Sequence, residues 1–314
     1  MLYRKFNLIH RELKNGNFEL AEKVLRETKG EAKTESARAL HDKLSSLVSL
    51  KGSKADELKV DFKKLDQFDD RQILPGVSIV TCCMNRNENL LKALNTWVKL
   101  AVNEIIIVDW SSTPEVTETI SEVKDDRIKV LRVDGENRWV LTYGFNVGLR
   151  FASYSKVYKF DADIQVENDF LERNTFKSSQ FVRGYWKEAF DRGDETQAFI
   201  NGSFGCDKKT LKSIAYYNEL IRTYGWDDSD LYERLAALGG LGTKYLDFHS
   251  LKHMDQKEEE RTINQDVNGD LFIGEIKPTD FNNYRNKFIG RTTDFWTTQR
   301  LQNYKVKRQS NNVW

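Results

Sequence analysis

Residues 77–110 read VSIVTCCMNRNENLLKALNTWVKLAVNEIIIVDW. Two apolar runs, VSIVTCC (77–83) and EIIIVDW (104–110), flank ENLLKALNTWVKLA (88–101), whose apolar residues recur at helical spacing. Runs that are apolar throughout, rather than alternating, suit strands buried on both faces. A strand–helix–strand succession is the building unit of a parallel sheet. The pattern continues through a polar turn and helix, RIKVLRV (127–133), the helical VLTYGFNVGLRFAS (140–153) and KVYKFDAD (156–163). The expected fold class is therefore α/β, a mostly parallel sheet flanked by helices. Ligands of such sheets bind outside the carboxyl ends of the strands. That directs attention to MNRNE after the first strand, Asp109-Trp110-Ser111-Ser112 after the second, Asp134-Gly135 after the third and Asp161-Ala162-Asp163 after the fourth.

The 314 residues carry 49 Lys and Arg against 48 Asp and Glu, so no global field attracts nucleic acid or an anionic surface. An anionic ligand needs a local site. Three cysteines, Cys82, Cys83 and Cys206, give neither a disulfide framework nor a CxxC metal pattern, which suits a reducing cytoplasm. No apolar stretch approaches the roughly 20 residues that span a bilayer, and MLYRKFNLIHRELK lacks a signal-peptide core. The expected location is cytoplasmic, with peripheral contact to a membrane-linked acceptor left open.

Residues 1–60 differ in texture: Lys, Glu and Leu are frequent, proline is absent, and Leu8, Leu13, Phe18, Ala21, Val24 and Leu25 fall at helical spacing. They read as a helical hairpin appendage that packs or docks a protein partner. Its NGNFELAEKVL resembles one tetratricopeptide-like unit, but such units need neighbours to bury their faces. Residues 61–76, polar and ending in Pro-Gly, read as a linker. Residues 77–255 form the α/β domain, and the aromatic and basic residues 256–314 are expected to pack on it or cover it.

Asp161 and Asp163 stand at i and i+2 of an extended segment, so their side chains share a face. Paired carboxylates repel unless a cation lies between them. Mg²⁺ or Mn²⁺ takes oxygen ligands and is typically bound through one or two carboxylates plus substrate phosphates. The pair therefore suggests a metal–diphosphate site; the alternative is a helix cap or a solvated loop.

The order VSIVTCCMNRNENLLKAL, EIIIVDWSS, YGFNVGLRFA, YKFDADI and YGWDDSDLYERL resembles the nucleotide-sugar glycosyltransferases of the GT-A fold, family 2 in its first part. Its later part resembles the galactosyl- and N-acetylgalactosaminyltransferase branch that includes chondroitin-polymerising enzymes. The likeness covers residues 76–255. It implies that Thr81, Arg86, Asp109, Asn146 and Asp161 contact the nucleotide of a UDP-sugar donor, and that Asp163, Asp161 and His253 hold Mn²⁺ or Mg²⁺. His253 is preferred to His249 because it follows the strand in an HxDQ-like context. In FINGSFGC (199–206), Gly202 and Gly205 let backbone approach a ligand, and the family places such a loop beside the donor sugar. Trp226, and less so Trp186, offers a face for a sugar ring.

The family carries Gly-Trp-Gly-Gly-Glu-Asp where this chain has Gly225-Trp226-Asp227-Asp228. Asp228 then matches the catalytic base that takes the acceptor hydroxyl proton, with Asp227 in reserve because the missing glycines blur the register. Asp230 either holds acceptor hydroxyls or begins the helix DLYERLAALG. The implied activity is inverting transfer of a hexose or N-acetylhexosamine to a glycan acceptor. A retaining or sugar-nucleotide-processing enzyme is the alternative, and a degenerate binding scaffold another.

Overall fold

Helix α1 (Phe18–Thr28) buries Ala21, Val24 and Leu25 against Phe6, Ile9 and Leu44, a cluster separate from those of the sheet. The computed structural model describes residues 18–33, 72–237, 239–254 and 306–308, and single positions at 2, 5, 6, 8, 9, 12, 38, 41, 42, 44, 45, 286 and 287. The remainder of the 1–60 hairpin, including Leu13, and most of 256–314 lie outside the described residues.

The α/β domain follows in chain order. Strand β1 is Leu74–Cys83, α2 Asn87–Trp97, β2 Glu104–Trp110, α3 Val116–Thr119, β3 Ile128–Val133, α4 Leu141–Phe151 and β4 Tyr154–Lys159. After these come β5 (Ile164–Val166), α5 (Phe170–Arg173), β6 (Gln180–Arg183), α6 (Trp186–Asp191) and a 3₁₀ stretch at Glu195–Gly202. Last are β7 (Phe204–Asp207), α7 (Lys208–Ser213), α8 (Asp227–Ala237), β8 (Gly242–Tyr245), β9 (Leu251–His253) and β10 (Val306–Arg308). The main sheet runs β10-β3-β2-β1-β4-β7-β6-β8, and β5 pairs with β9 in a two-stranded ribbon. Strands β3, β2, β1 and β4 are parallel, whereas β7 is antiparallel to β4 and β6, and β10 is antiparallel to β3. The mostly parallel sheet flanked by helices is the expected architecture.

β1 starts inside the stretch expected to be linker: Leu74, Pro75 and Gly76 are strand residues. The ladder with β4 is irregular between Leu74 and Val77, which is where a Pro, having no N–H to give, is tolerated. Residues 61–71 lie outside the described residues.

The central strands are apolar because both faces are covered. On one face Leu90, Ala93, Leu94 and Trp97 of α2 meet Ile79, Ile105, Ile107 and Phe160; on the other, α4 meets Val80, Ile106, Val108 and Leu131. α4 comes close because Gly148 has no side chain: a Cβ there would stand 2.6 Å from Val80 Cγ1. The chain lays β2 and β3 to one side of β1 and returns to place β4 on the other, so the direction of winding reverses between β1 and β4. The crevice outside their carboxyl ends is the natural ligand site. No helix among the described residues is long and apolar enough to cross a membrane.

Ile106 is fully buried in the middle of β2. Ile106→Ala is expected to lower the free energy of unfolding by about 2–4 kcal/mol in urea titrations, the usual range for a core truncation.

Candidate active site

At the reversal point lies a cavity of about 490 Å³, lined from β1 by Cys82, Cys83 and Met84, from the β4 end by Asp161 and Asp163, and from the start of α8 by Asp227 and Asp228. Arg86, Gly202, Trp226 and His253 also line it. Six of the expected site residues other than Gly202 are therefore acidic, basic or imidazole groups drawn from elements far apart in sequence.

The floor is organised by a lysine. Lys159, the last residue of β4, is fully buried and donates to Asp161 Oδ1 at 2.8 Å and to the Gly202 carbonyl at 2.9 Å. Its Nζ is 3.6 Å from Asp228 Oδ1 and 4.3 Å from the Phe145 ring centre. Burial works against the charge, but Asp161 and Asp228 outweigh it and hold the ammonium pKa above the ordinary lysine value. The opposite side of Asp228 Oδ1 accepts from the Tyr217 hydroxyl at 2.7 Å. Burial, followed by the Asp228 charge, pushes the Tyr217 pKa well up, so the phenol stays a donor.

Asp227 and Asp228 open α8, where a helix N-terminus favours negative charge. Burial and the neighbouring Asp228 carboxylate push Asp227 up to about 8. Burial also raises Asp228, while Lys159 pulls it back. The pair thus keeps a proton further toward neutral pH than free carboxyls do.

Across the cavity, Asp163 Oδ2 stands 3.6 Å from Arg86 Nη1 and 3.7 Å from His253 Nε2. His253 is brought there by the β5–β9 ribbon, in which it pairs with Ile164, and Gln197 grips its backbone through both N–H and carbonyl. Its Nδ1 is buried without a hydrogen-bond partner. A carboxylate oxygen beside an imidazole is a donor set that suits Mn²⁺. Asp161 is turned toward Lys159, and among the described residues no three His, Cys, Asp or Glu side chains form a ready-made metal cluster. The residues fit a cation held by Asp163 and His253 and completed by ligand oxygens, the arrangement usual for a metal shared with a diphosphate.

Gly202 is required by close approach. A Cβ would lie 2.5 Å from Asp161 Oδ2 and 3.2 Å from both Asp228 Oδ2 and Lys159 Nζ.

Five expected site residues lie outside the cavity, one of them Gly205, whose missing side chain makes room for the Tyr158 ring. Thr81 is buried within β1, directly before the cavity-lining Cys82, in register with Ile107. Asp109 is fully buried and spends its carboxylate on the N–H groups of Ser112 and Val116 and on Arg132 Nη1, which fixes the loop before α3. Asn146 bridges α4 to a later loop, donating to the Tyr217 carbonyl and Glu219 and accepting from the Tyr217 N–H. Asp230 lies one turn inside α8, paired with Arg234 at 2.8 Å. Each has its hydrogen-bonding capacity met by protein, except Thr81, whose hydroxyl is enclosed. His249 is exposed in the 3₁₀ turn Phe248–Ser250 that precedes β9 and does not line the cavity.

Sequence reasoning missed Lys159, Tyr217, Trp139 and Phe199. The lysine had a signal: a charge inside the apolar run KVYKF, directly before two carboxylates, needs a buried counter-charge.

Residues 78–175 match the family model described as Glycosyl transferase family 2. No curated protein sequence matches the chain. Among solved structures, glucosyl-3-phosphoglycerate synthase from Mycobacterium tuberculosis, in complex with Mn²⁺, UDP and phosphoglyceric acid, is similar at 12% identity and TM-score 0.47, over 81% of this chain and 91% of that one. The mannosyltransferase PcManGT from Pyrobaculum calidifontis, in complex with GDP-Man and Mn²⁺, is similar at 12% identity and TM-score 0.47, over 81% and 80%. The catalytic domain of Drosophila β1,4-galactosyltransferase 7, in complex with xylobiose, is similar at 15% identity and TM-score 0.44, over 67% and 79%.

Gly202→Ala is expected to keep the fold, since the crowded atoms are side-chain ends, but to displace Asp161 and lower any transferase turnover by about a hundredfold. Circular dichroism and turnover measured together check this. A carboxyl whose folded pKa exceeds its unfolded value of 3.8 carries a proton that the unfolded chain has lost, so native stability falls as pH rises from there through about 8. Asp227→Asn removes that penalty; its melting temperature is expected to rise relative to the parent between roughly pH 5 and roughly pH 9. A constant difference across that range would contradict the assignment.

The family match takes in most of β1, all of β2 to β4 and the Asp161–Asp163 pair that follows β4.

Proposed function

We propose that the chain is an inverting, metal-dependent glycosyltransferase that moves a hexose or N-acetylhexosamine from a UDP-sugar to a hydroxyl of a glycan acceptor. The observation that carries it is the placement of Asp228 at the cavity floor, held by Tyr217 and Lys159, opposite the Asp163–His253 pair. Asp228 takes the acceptor proton as the acceptor oxygen bonds to the anomeric carbon and the bond to the UDP oxygen breaks. Arg86 faces the departing diphosphate with positive charge. A divalent cation held by Asp163 and His253 supplies Lewis-acid charge to that leaving group when bound. Trp226 supplies a face for the sugar, and Gly202 brings backbone close to it. Asp161 keeps Lys159 in place and borders the nucleotide; Asp227 stays protonated beside the base.

The family 2 match supports the reaction class, and the Gly-Trp-acidic segment supports the galactosyl- and N-acetylgalactosaminyltransferase branch with its chondroitin-polymerising members; Gal, GalNAc, Glc and GlcNAc are the candidate sugars. Two of the similar solved structures contain Mn²⁺, one with UDP and one with GDP-Man. Residues 77–255 are the catalytic domain in this reading, 1–60 a docking hairpin and 61–76 mainly linker. The same reading has the 256–314 extension pack on the domain, which is supported by its described residues: Asn286 donates to the Gly225 carbonyl at 2.7 Å, and β10 extends the sheet beside β3. The protein works in the cytoplasm, where it meets a membrane-linked acceptor peripherally and a protein partner through its helices.

Asp228→Asn is expected to lower kcat by about a hundred- to ten-thousandfold with little change in donor binding. The acid limb of its pH profile should lie above the ordinary carboxylate range, because only the deprotonated base works and burial raises its pKa. NMR of the product should show inversion at the anomeric carbon. Retention, or full turnover in EDTA, would sink the proposal.

A further inference from the structure

The cavity does not end at its mouth. Trp186, which lines it, is 49% exposed, and its ring leads away from the site to Tyr185 at 6.4 Å and to Phe190 at 5.7 Å. Tyr185 in turn stacks on Tyr245, with ring centres 4.3 Å apart and planes 13° from parallel. Tyr245 is 46% and Phe190 47% exposed, and Tyr245 lies on β8, the last strand of the sheet. An exposed, contiguous aromatic band is costly in water and marks a binding surface.

Building on the glycosyltransferase reading, we infer that Trp186, Tyr185 and Tyr245, with Phe190 beside them, form a track for a neutral oligosaccharide whose growing end enters the cavity. Two observations select this occupant. The cavity, at about 490 Å³, has the capacity of a single small-molecule ligand, so a nucleotide sugar fills most of it and an acceptor longer than one unit extends past its rim, where Trp186 begins this band. The ions on α6 cancel locally, Lys187 pairing with Asp191 at 2.7 Å and Arg192 with Glu188 at 2.8 Å, and the Arg183 guanidinium is turned onto the Tyr245 ring, 5.6 Å from its centre, so the band carries no cluster of like charge for an anionic lipid or an acidic peptide. Flat aromatic faces flanked by self-paired ions suit the C–H faces of successive pyranoses.

The test uses the full chain with mono- to hexasaccharide ladders of neutral malto-, cello-, chito- and galacto-oligosaccharides, read by saturation-transfer NMR and by transfer kinetics. For at least one ladder, affinity and kcat/KM should rise with length, and Tyr245→Ala should lower the gain for the longer members by about tenfold while leaving the monosaccharide alone. Tyr245 lies outside the cavity, so UDP-sugar hydrolysis in Mn²⁺ serves as the control: its absence from the parent protein counts against the glycosyltransferase reading itself. With hydrolysis present, no length dependence in any ladder, or the same length dependence in Tyr245→Ala, overturns the track. So does loss, in that variant, of self-association in ultracentrifugation or of adsorption to phosphatidylcholine–phosphatidylglycerol vesicles without any change in oligosaccharide binding.

Discussion

One ammonium group shut away from water, that of Lys159, is the constraint on which the site depends. It ends β4, and from there it reaches Asp161, the Gly202 carbonyl and Asp228. Removing one partner of a buried charge cluster leaves the other uncompensated, which is why such clusters are either complete or absent. Three segments far apart in sequence are fixed relative to one another by that single side chain. Without it, Asp161 and Asp228 would face each other across Gly202 with nothing between them, and at least one would hold a proton.

The fold supplies the rest by ordinary means. Parallel strands covered on both faces need apolar sequence throughout, so polar chemistry is pushed to their ends. The reversal of winding between β1 and β4 leaves a gap there, and the short β5–β9 ribbon swings His253 back toward Asp163. α8 then points its N-terminus, with two acidic residues, into the same gap. Tyr217 secures the second of these, and its own backbone is held by Asn146. The residue expected to touch the nucleotide therefore steadies Asp228 at one remove.

The sheet, its order along the chain and the acidic pair after β4 were legible because they depend on local pattern. Apolar runs, helical spacing and i, i+2 geometry are properties of neighbours in sequence. Arg86, Asp161, Asp163, Asp227, Asp228, Trp226, Gly202 and His253 all reach the cavity, and each stands just after a strand, at the end of the 3₁₀ stretch before β7, at the end of β9, or at a helix start. Asp109, Asn146 and Asp230, which lie outside the cavity, could not be told apart from these in sequence, because a carboxylate or amide at such a place serves equally well to cap a loop, bridge a helix or pair with arginine. Only the partners distinguish these uses: Arg132 is 23 residues from Asp109, and Glu219 is 73 from Asn146. The sequence around Lys159 signals a buried counter-charge but not its full role, which requires Gly202 and Asp228 to arrive from later in the chain. The early start of β1 was hidden by Pro75-Gly76, which usually punctuates a boundary but here marks an irregular strand end.

The central claim is that Asp163 and His253 hold a cation which makes this cavity a UDP-sugar site. Thermal unfolding with UDP-, GDP- and dTDP-sugars, each with and without Mn²⁺, tests it most directly, in the parent chain and in Asp163→Asn. Ligand-linked stabilisation reports affinity for the native state. The account predicts a rise in melting temperature for a UDP-sugar that needs Mn²⁺ and vanishes in Asp163→Asn. Equal stabilisation with and without Mn²⁺, or a full response in Asp163→Asn, would contradict it.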